Sequence, residues 1–282
     1  MAVEKSKERL EILRRIEVLE KEERWTEDVE DDPPTVPLLP DQVDYLEEKP
    51  INWLLMKFVN TMARRHINKL LKQKAFIMMP VDGLEKFIPL KDQGAIITCN
   101  HFNVFDNFAV YKALEPYIRH RQLYKVCREG NFTSFPGLYG LFFRHCNTLP
   151  LSQNPSTMHK FMDAVKILLG RGEKILIYPE QGMWWNYRKP RPLTPGSYKF
   201  AVKHNVPVIP LFITLHDSDL IGSDGFPVEE YTVHVLDPIY PDMSKSPKER
   251  VKDMMAKNYD VWKNTYETVY GIPLKYHTEE GE

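Results

Sequence analysis

The feature that most restricts this chain is a change of hydrophobic period that recurs from residue 75 onward. Short, continuous apolar runs stand at 95–99 (AIITC), 123–126 (LYKV), 174–178 (KILIY), 206–213 (VPVIPLFI) and 232–236 (TVHVL). Runs of this length and continuity mark strands buried on both faces. Helical spacing appears among them. Met158, Phe161, Val165, Leu168 and Leu169 form one apolar stripe, with Ser156 as the expected cap and Gly170 and Gly172 as the stop. A last helix is expected from Ser246-Pro247, through Val251, Met254, Met255, Trp262, Tyr266 and Val269, to Gly271 and Pro273. The alternation predicts an α/β fold: a mixed, largely parallel sheet covered by helices, preceded by an N-terminal amphipathic helical segment.

The chain divides into four segments. Residues 1–32 read as a charged helical extension, helical from about 3 to 24, with apolar steps at Leu10, Ile12, Leu13, Ile16 and Leu19. They end in the acidic run Glu27, Asp28, Glu30, Asp31 and Asp32, and the charge density predicts a solvated or loosely docked helix. Residues 33–50 hold Pro33, Pro34, Pro37 and Pro40, an extended linker. Residues 51–74 contain no Asp or Glu but carry Lys57, Arg64, Arg65, Lys69, Lys72 and Lys74 around a stripe of Leu55, Phe58, Val59, Met62, Ile67, Leu70 and Leu71. That pattern suits a helix in a membrane interface, and equally a helix packed on its own domain with a basic outer face. The two are compatible. Residues 75–282 form the main domain.

Several classes of function lose support. Lys+Arg 38 against Asp+Glu 39 leaves a net charge of −1, without the basic excess by which nucleic-acid binders displace counterions. Cys99, Cys127 and Cys146 form no C-x-x-C pair, so neither a disulfide framework nor a structural metal site is expected. Charges at Glu4, Lys5, Lys7, Glu8 and Arg9 interrupt any signal-peptide start, and no run of about 18 apolar residues is available to span a bilayer. The protein is expected to stay inside the cell. No P-loop, G-x-G-x-x-G or G-x-S-x-G occurs.

Chemistry concentrates where two of the predicted strands end, the place where open α/β sheets gather their sites. After the first run stands Asn100-His101-Phe102-Asn103-Val104-Phe105-Asp106. A turn there returns Asp106 to the imidazole of His101: the carboxylate selects the tautomer, and the other ring nitrogen can take a proton. After the 174–178 run stands Tyr178-Pro179-Glu180-Gln181-Gly182-Met183-Trp184-Trp185. This reads either as a polar loop or as a second functional turn, on the same edge as His101 if the two strands run parallel.

Taken with Phe135-Pro136-Gly137, the run 147–151 (NTLPL) and the run 206–210 (VPVIP), these two ends resemble the glycerolipid acyltransferase superfamily, of the lysophosphatidate acyltransferase type. The resemblance covers about residues 75–220. It implies His101 as general base, Asp106 as its orienting group and Glu180 as a holder of the acceptor, with Asn100, Asn103, Gln181 and Gly182 beside the substrate. It also implies that residues 51–74 seat the domain on a membrane, peripherally and on the cytoplasmic side. The donor would be an acyl thioester of coenzyme A or acyl carrier protein, with no other cofactor and no metal. The reaction implied is acyl transfer to a hydroxyl of a lysophospholipid or related lipid precursor.

Two arginines of the family pattern are missing. Met183 stands where the third block usually has Arg, and Leu151 is followed by Ser152 and Gln153 where the second block usually closes on Arg. Such arginines suit an acceptor phosphate. Arg188, Lys189 and Arg191 are candidates for replacement charge, or a solvated basic loop. Trp184 and Trp185 would line the acceptor pocket, meet lipid, or pack. Two alternatives follow: a non-phosphate acceptor such as an amino-lipid or glycolipid, or a catalytically weak lipid-binding module.

Overall fold

Two helices precede the first strand in the computed structural model, which describes residues 3–31, 34–118 and 122–276. Asp32 of the acidic run and Pro33 of the linker lie outside the described residues. Helix α1 (Lys7–Lys21) is capped by Ser6, and α2 (Pro50–Lys72) begins with proline at its first turn, where no backbone donor is lost. Then follow β1 (Ile77–Met78), β2 (Ala95–Thr98), α3 (Asp106–Leu114), β3 (Leu123–Arg128), the short α4 (Glu129–Ser134), α5 (Gly137–His145) and β4 (Thr148–Leu151). The chain continues with α6 (Pro155–Gly170), β5 (Lys174–Ile177), α7 (Gly196–His204), β6 (Val208–Ile221), β7 (Pro227–Val235) and α8 (Pro247–Tyr270).

The seven strands form one sheet in the order β1-β7-β6-β2-β5-β3-β4, parallel throughout except for the β6–β7 hairpin. The sheet is therefore mixed and largely parallel, with helices on both faces. Alternation sorts the side chains. Ile97, Leu123, Leu176 and Leu211 meet Phe108, Ala109 and Val110 of α3 and Ile67 of α2 on one face. Ile96, Ile175 and Val208 meet Phe161, Val165 and Leu168 of α6, Ala201 of α7 and Met254 of α8 on the other.

Two helix starts test the capping argument. In α8, Ser246 accepts from the backbone of Glu249 while the Glu249 carboxylate accepts from Ser246 N, a capping box with Pro247 at the first helical position. In α6 the cap is Asn154 rather than Ser156: its Oδ1 accepts from Ser156 N and Thr157 N at 3.0 and 3.1 Å. Pro155, with φ preset for the first helical position, moves the start upstream of Ser156.

The N-terminal segment departs from the expectation of a solvated helix. Ile12, Ile16 and Leu19 of α1 are buried against Val29, Trp184 and Trp185. The three recur on one face of the helix, and that face covers the loop after β5.

Candidate active site

The site begins where β2 and β5 end together. Thr98 pairs with Ile177 on their last shared rung, so both following loops leave the sheet at one edge. Asn100 continues the β2–β6 pairing with its side chain: its Nδ2 donates to Ile213 O at 3.0 Å and its Oδ1 accepts from Ile213 N at 2.8 Å. Both polar groups are thereby used within the fold, and Asn100, expected beside the substrate, instead releases the backbone of His101 from the sheet.

Asp106 opens α3 and folds back as the spacing implied. Its Oδ2 lies 2.6 Å from His101 Nδ1 and accepts from Phe102 N at 3.3 Å, while its Oδ1 accepts from the Tyr178 hydroxyl at 2.7 Å. The carboxylate is wholly buried, a costly position for a charge unless its lone pairs are filled, as they are here. With a carboxylate on Nδ1, the ring proton resides there and Nε2 keeps its lone pair. The imidazole is about a quarter exposed and stacks on the Tyr178 ring at 4.0 Å between centroids. Burial and the Asp106 carboxylate push the Tyr178 hydroxyl well above its ordinary pKa, so it stays a donor. Burial does the same to the Cys99 thiol, reinforced by Asp106 and Glu180, which removes it as a nucleophile.

Glu180 reaches the same corner from β5. Its Oε2 accepts from His101 N at 2.9 Å and its Oε1 from Arg191 N at 2.8 Å, and the Arg191 guanidinium closes an ion pair with it at 3.0 Å. Both side chains are buried. Arg191 also donates to His101 O at 3.2 Å and to Gly182 O, and lies over the Trp184 ring. Glu180, expected at the acceptor, is thus the strut that joins the two loops. Further ties run from Trp184 N to His101 O (3.1 Å), Asn186 N to Phe102 O (2.8 Å) and Asn103 Nδ2 to Asn186 Oδ1 (2.9 Å). Gln181 is exposed in a left-handed turn with φ of 68°.

Residues 20–28 strap this loop from outside. Trp184 Nε1 donates to Glu27 O at 2.7 Å, Met183 N to Asp28 Oδ1 at 3.1 Å, and Arg191 Nη1 to Trp25 O at 2.7 Å. Asp28 also pairs with Arg128, the last residue of β3. A Cβ at Gly182 would stand 2.5 Å from Glu27 O, so only glycine admits the strap. Trp184 and Trp185 are buried under it.

The basic residues that follow are also engaged. Arg188 pairs with Asp217 at 2.5 Å and with Glu229 at 3.4 Å, and Lys189 with buried Glu20 at 2.8 Å. Ser152 is buried and donates to Glu129 Oε2 at 2.8 Å. Sequence reasoning passed over Tyr178 as a hydrogen-bond donor, Arg191 as a buried clasp and the whole strap; only the adjacency of Tyr178 to Pro179-Glu180 signalled any of these.

The model of the acyltransferase family matches residues 78–214, a span that holds His101, Asp106, Tyr178, Glu180 and Arg191. The chain carries an acyltransferase-family domain. The acyltransferase is similar in fold to the 1-acyl-sn-glycerophosphate (LPA) acyltransferase PlsC from Thermotoga maritima, with a TM-score of 0.52 and 18% identity over 82% of this chain and 87% of that one. No curated protein matches the chain in sequence. Among the described residues of the acyltransferase, no helix is long and apolar enough to cross a membrane.

Proposed function

We propose that this acyltransferase moves a fatty acyl group from an acyl thioester to a hydroxyl of a lysophospholipid or related lipid precursor at a membrane surface. The observation that carries the proposal is the 2.6 Å contact between His101 Nδ1 and a fully buried Asp106, set at the sheet edge beside the Glu180 loop. His101 Nε2 takes the proton of the acceptor hydroxyl as its oxygen attacks the thioester carbonyl. The tetrahedral oxyanion collapses, the C–S bond breaks, and the proton held on His101 passes to the leaving thiolate. Coenzyme A or acyl carrier protein is the carrier released.

Membrane seating rests on α2. Ile51, Leu54 and Phe58 are 69%, 57% and 67% exposed, Trp53 is also exposed, and Lys57 Nζ lies 3.5 Å from the Trp53 ring centre. Apolar and aromatic residues with interleaved lysines suit insertion into an anionic interface, so the enzyme would sit peripherally, on the cytoplasmic face.

A second acceptor class is favoured by one observation. The cationic corner formed by Arg128 and Met183 N is filled by the chain's own Asp28 carboxylate. Together with Met183 and Ser152 at the positions of missing arginines, this favours an acceptor without phosphate, such as an amino-lipid or glycolipid.

The test is esterification by purified protein and His101→Ala, with radiolabelled acyl-CoA and acyl carrier protein donors, against lysophosphatidate, other lysophospholipids and monoacylated amino lipids. A loss of about 10²-fold or more in the variant is expected. Turnover that survives the substitution refutes the mechanism, and silence of the wild type with every pair moves weight to a lipid-binding module.

A further inference from the structure

A cavity of about 440 Å³ lies away from His101, between the middle of α2, the end of α3 and β3. Its charged lining is Arg64, Lys125 and Glu115. Lys125 projects from the middle of β3, opposite Leu176 of β5 and Thr148 of β4, and shares its face of the strand with Leu123. That position is expensive for an ammonium group: burial pulls Lys125 below its ordinary pKa. Elsewhere in this protein buried charge is matched, as Glu180 is by Arg191 and Lys174 by the carbonyls of Lys91 and Gly172. Among the described residues, Lys125 has neither a carboxylate nor a carbonyl partner.

Its neighbours add to the imbalance. Asn147 is 4% exposed; its Oδ1 accepts from Asn60 Nδ2 at 2.8 Å, and its buried Nδ2 faces the Tyr124 hydroxyl. Arg64 lies by the Tyr111 hydroxyl with no carboxylate partner among the described residues. The one acid on the wall, Glu115, is already held by Lys112 at 2.6 Å and by Tyr111 at 3.2 Å. Two cations therefore face a space large enough for a substituted phosphate, with the Asn147 amide on the same wall. A phosphate ester answers both, because it brings several acceptor oxygens and more than one negative charge.

We propose that this cavity binds a phosphate-bearing ligand, held by Lys125 and Arg64. The source of the phosphate is a lipid headgroup or a soluble phosphate ester. The first is within reach: Phe58, on the exposed apolar patch of α2, and Arg64 are about 9 Å apart along the helix axis. The site is separate from the acyl-transfer residues, so it stands whether or not the reaction assigned above is right.

The experiment uses the full chain, wild type and Lys125→Met. Thermal unfolding is followed in inorganic phosphate against chloride at matched ionic strength, and binding is followed to vesicles of phosphatidylglycerol and of phosphatidylcholine. Without phosphate, Lys125→Met should unfold at or above the wild-type temperature, because a desolvated charge is replaced by an apolar chain of similar length. A lost response then cannot be ascribed to misfolding. If Lys125→Met weakens phosphatidylglycerol binding by about tenfold and leaves phosphatidylcholine binding unchanged, the ligand is a lipid headgroup. If phosphate stabilises the wild type but not the variant while vesicle binding is equal, the ligand is a soluble phosphate. If neither response depends on Lys125, the proposal is overturned.

Discussion

Asp28 and Met183 are 155 residues apart in sequence, yet the Asp28 carboxylate accepts the Met183 backbone N–H at 3.1 Å while pairing with Arg128. The chain thus places an anion of its own on the edge where His101 and Glu180 meet. An amide N–H and a guanidinium together would otherwise make a seat for an anionic substrate.

Replacing Asp28 tests that relationship. Asp28→Ala vacates the seat, and Asp28→Asn removes the charge while keeping the acceptor for Met183 N. If the carboxylate excludes phosphate, Asp28→Ala should lower KM for a phosphate-bearing acceptor by about tenfold and leave a neutral acceptor nearly unchanged. An equal change for both acceptors would mean that Asp28 only fastens the strap.

The hydrogen bonds on Asp106 should separate in kinetics. Asp106→Asn loses the charge that orients the imidazole, and kcat should fall by about 10²-fold or more. Tyr178→Phe removes one donor at 2.7 Å and leaves the stacked ring, so kcat should fall by about tenfold with KM unmoved. Steady-state kinetics on both variants decide this, and a Tyr178→Phe effect confined to KM would contradict it.

The Glu180–Arg191 pair should behave as a buried strut. Glu180→Gln leaves the guanidinium without its counter-charge and should cost about 3–5 kcal/mol of unfolding free energy. Lys189→Gln, which removes the partly exposed member of its pair, should cost less. Urea unfolding ranks the two; a Glu180→Gln variant of wild-type stability that loses only acceptor affinity would restore Glu180 as a substrate ligand.

The exposed patch on α2 should matter for membranes and not for folding. Leu54→Ser with Phe58→Ser should reduce co-sedimentation with anionic vesicles several-fold and change stability by no more than about 0.5 kcal/mol for each site. Unaltered vesicle binding would leave α2 as an ordinary surface helix.

Glu229 gives a pH signature. Burial raises its carboxyl from 4.5 to about 7 despite the pull of Arg188. The folded state therefore holds a proton that the unfolded state has released between those values. The stability from this group is complete below pH 4.5 and is lost as pH rises through about 7. Glu229→Gln should flatten that decline by at most about 1.4 kcal/mol per pH unit. Glu47, raised by burial into the same window, keeps part of the slope. Unfolding curves from pH 4 to 8 measure it, and an unchanged slope in Glu229→Gln would contradict the assignment.

Much of the architecture is legible in local sequence because its causes are local. Continuous apolar runs require burial on both faces, and β2, β3, β5, the start of β6 and the end of β7 lie where those runs are. The His101–Asp106 contact is similarly short-range, since one turn between strand and helix closes it. The two-residue β1, the four-residue β4, the far half of β6 and helices α5 and α7 carry patterns too short or too exposed to read. What only the tertiary structure decided is which polar groups meet. Asn100 binds Ile213 because β2 and β6 are neighbours in the sheet, Glu180 and Arg191 meet where the loop after β5 folds back on itself, and Lys189 binds Glu20 and Asp28 binds Met183 because α1 and the segment after it dock on that loop. Strand order arises from the packing of the whole chain, so no window of sequence contains it. The residue types could be read in advance, but whether each faces a ligand or another part of the protein was decided by its long-range partner.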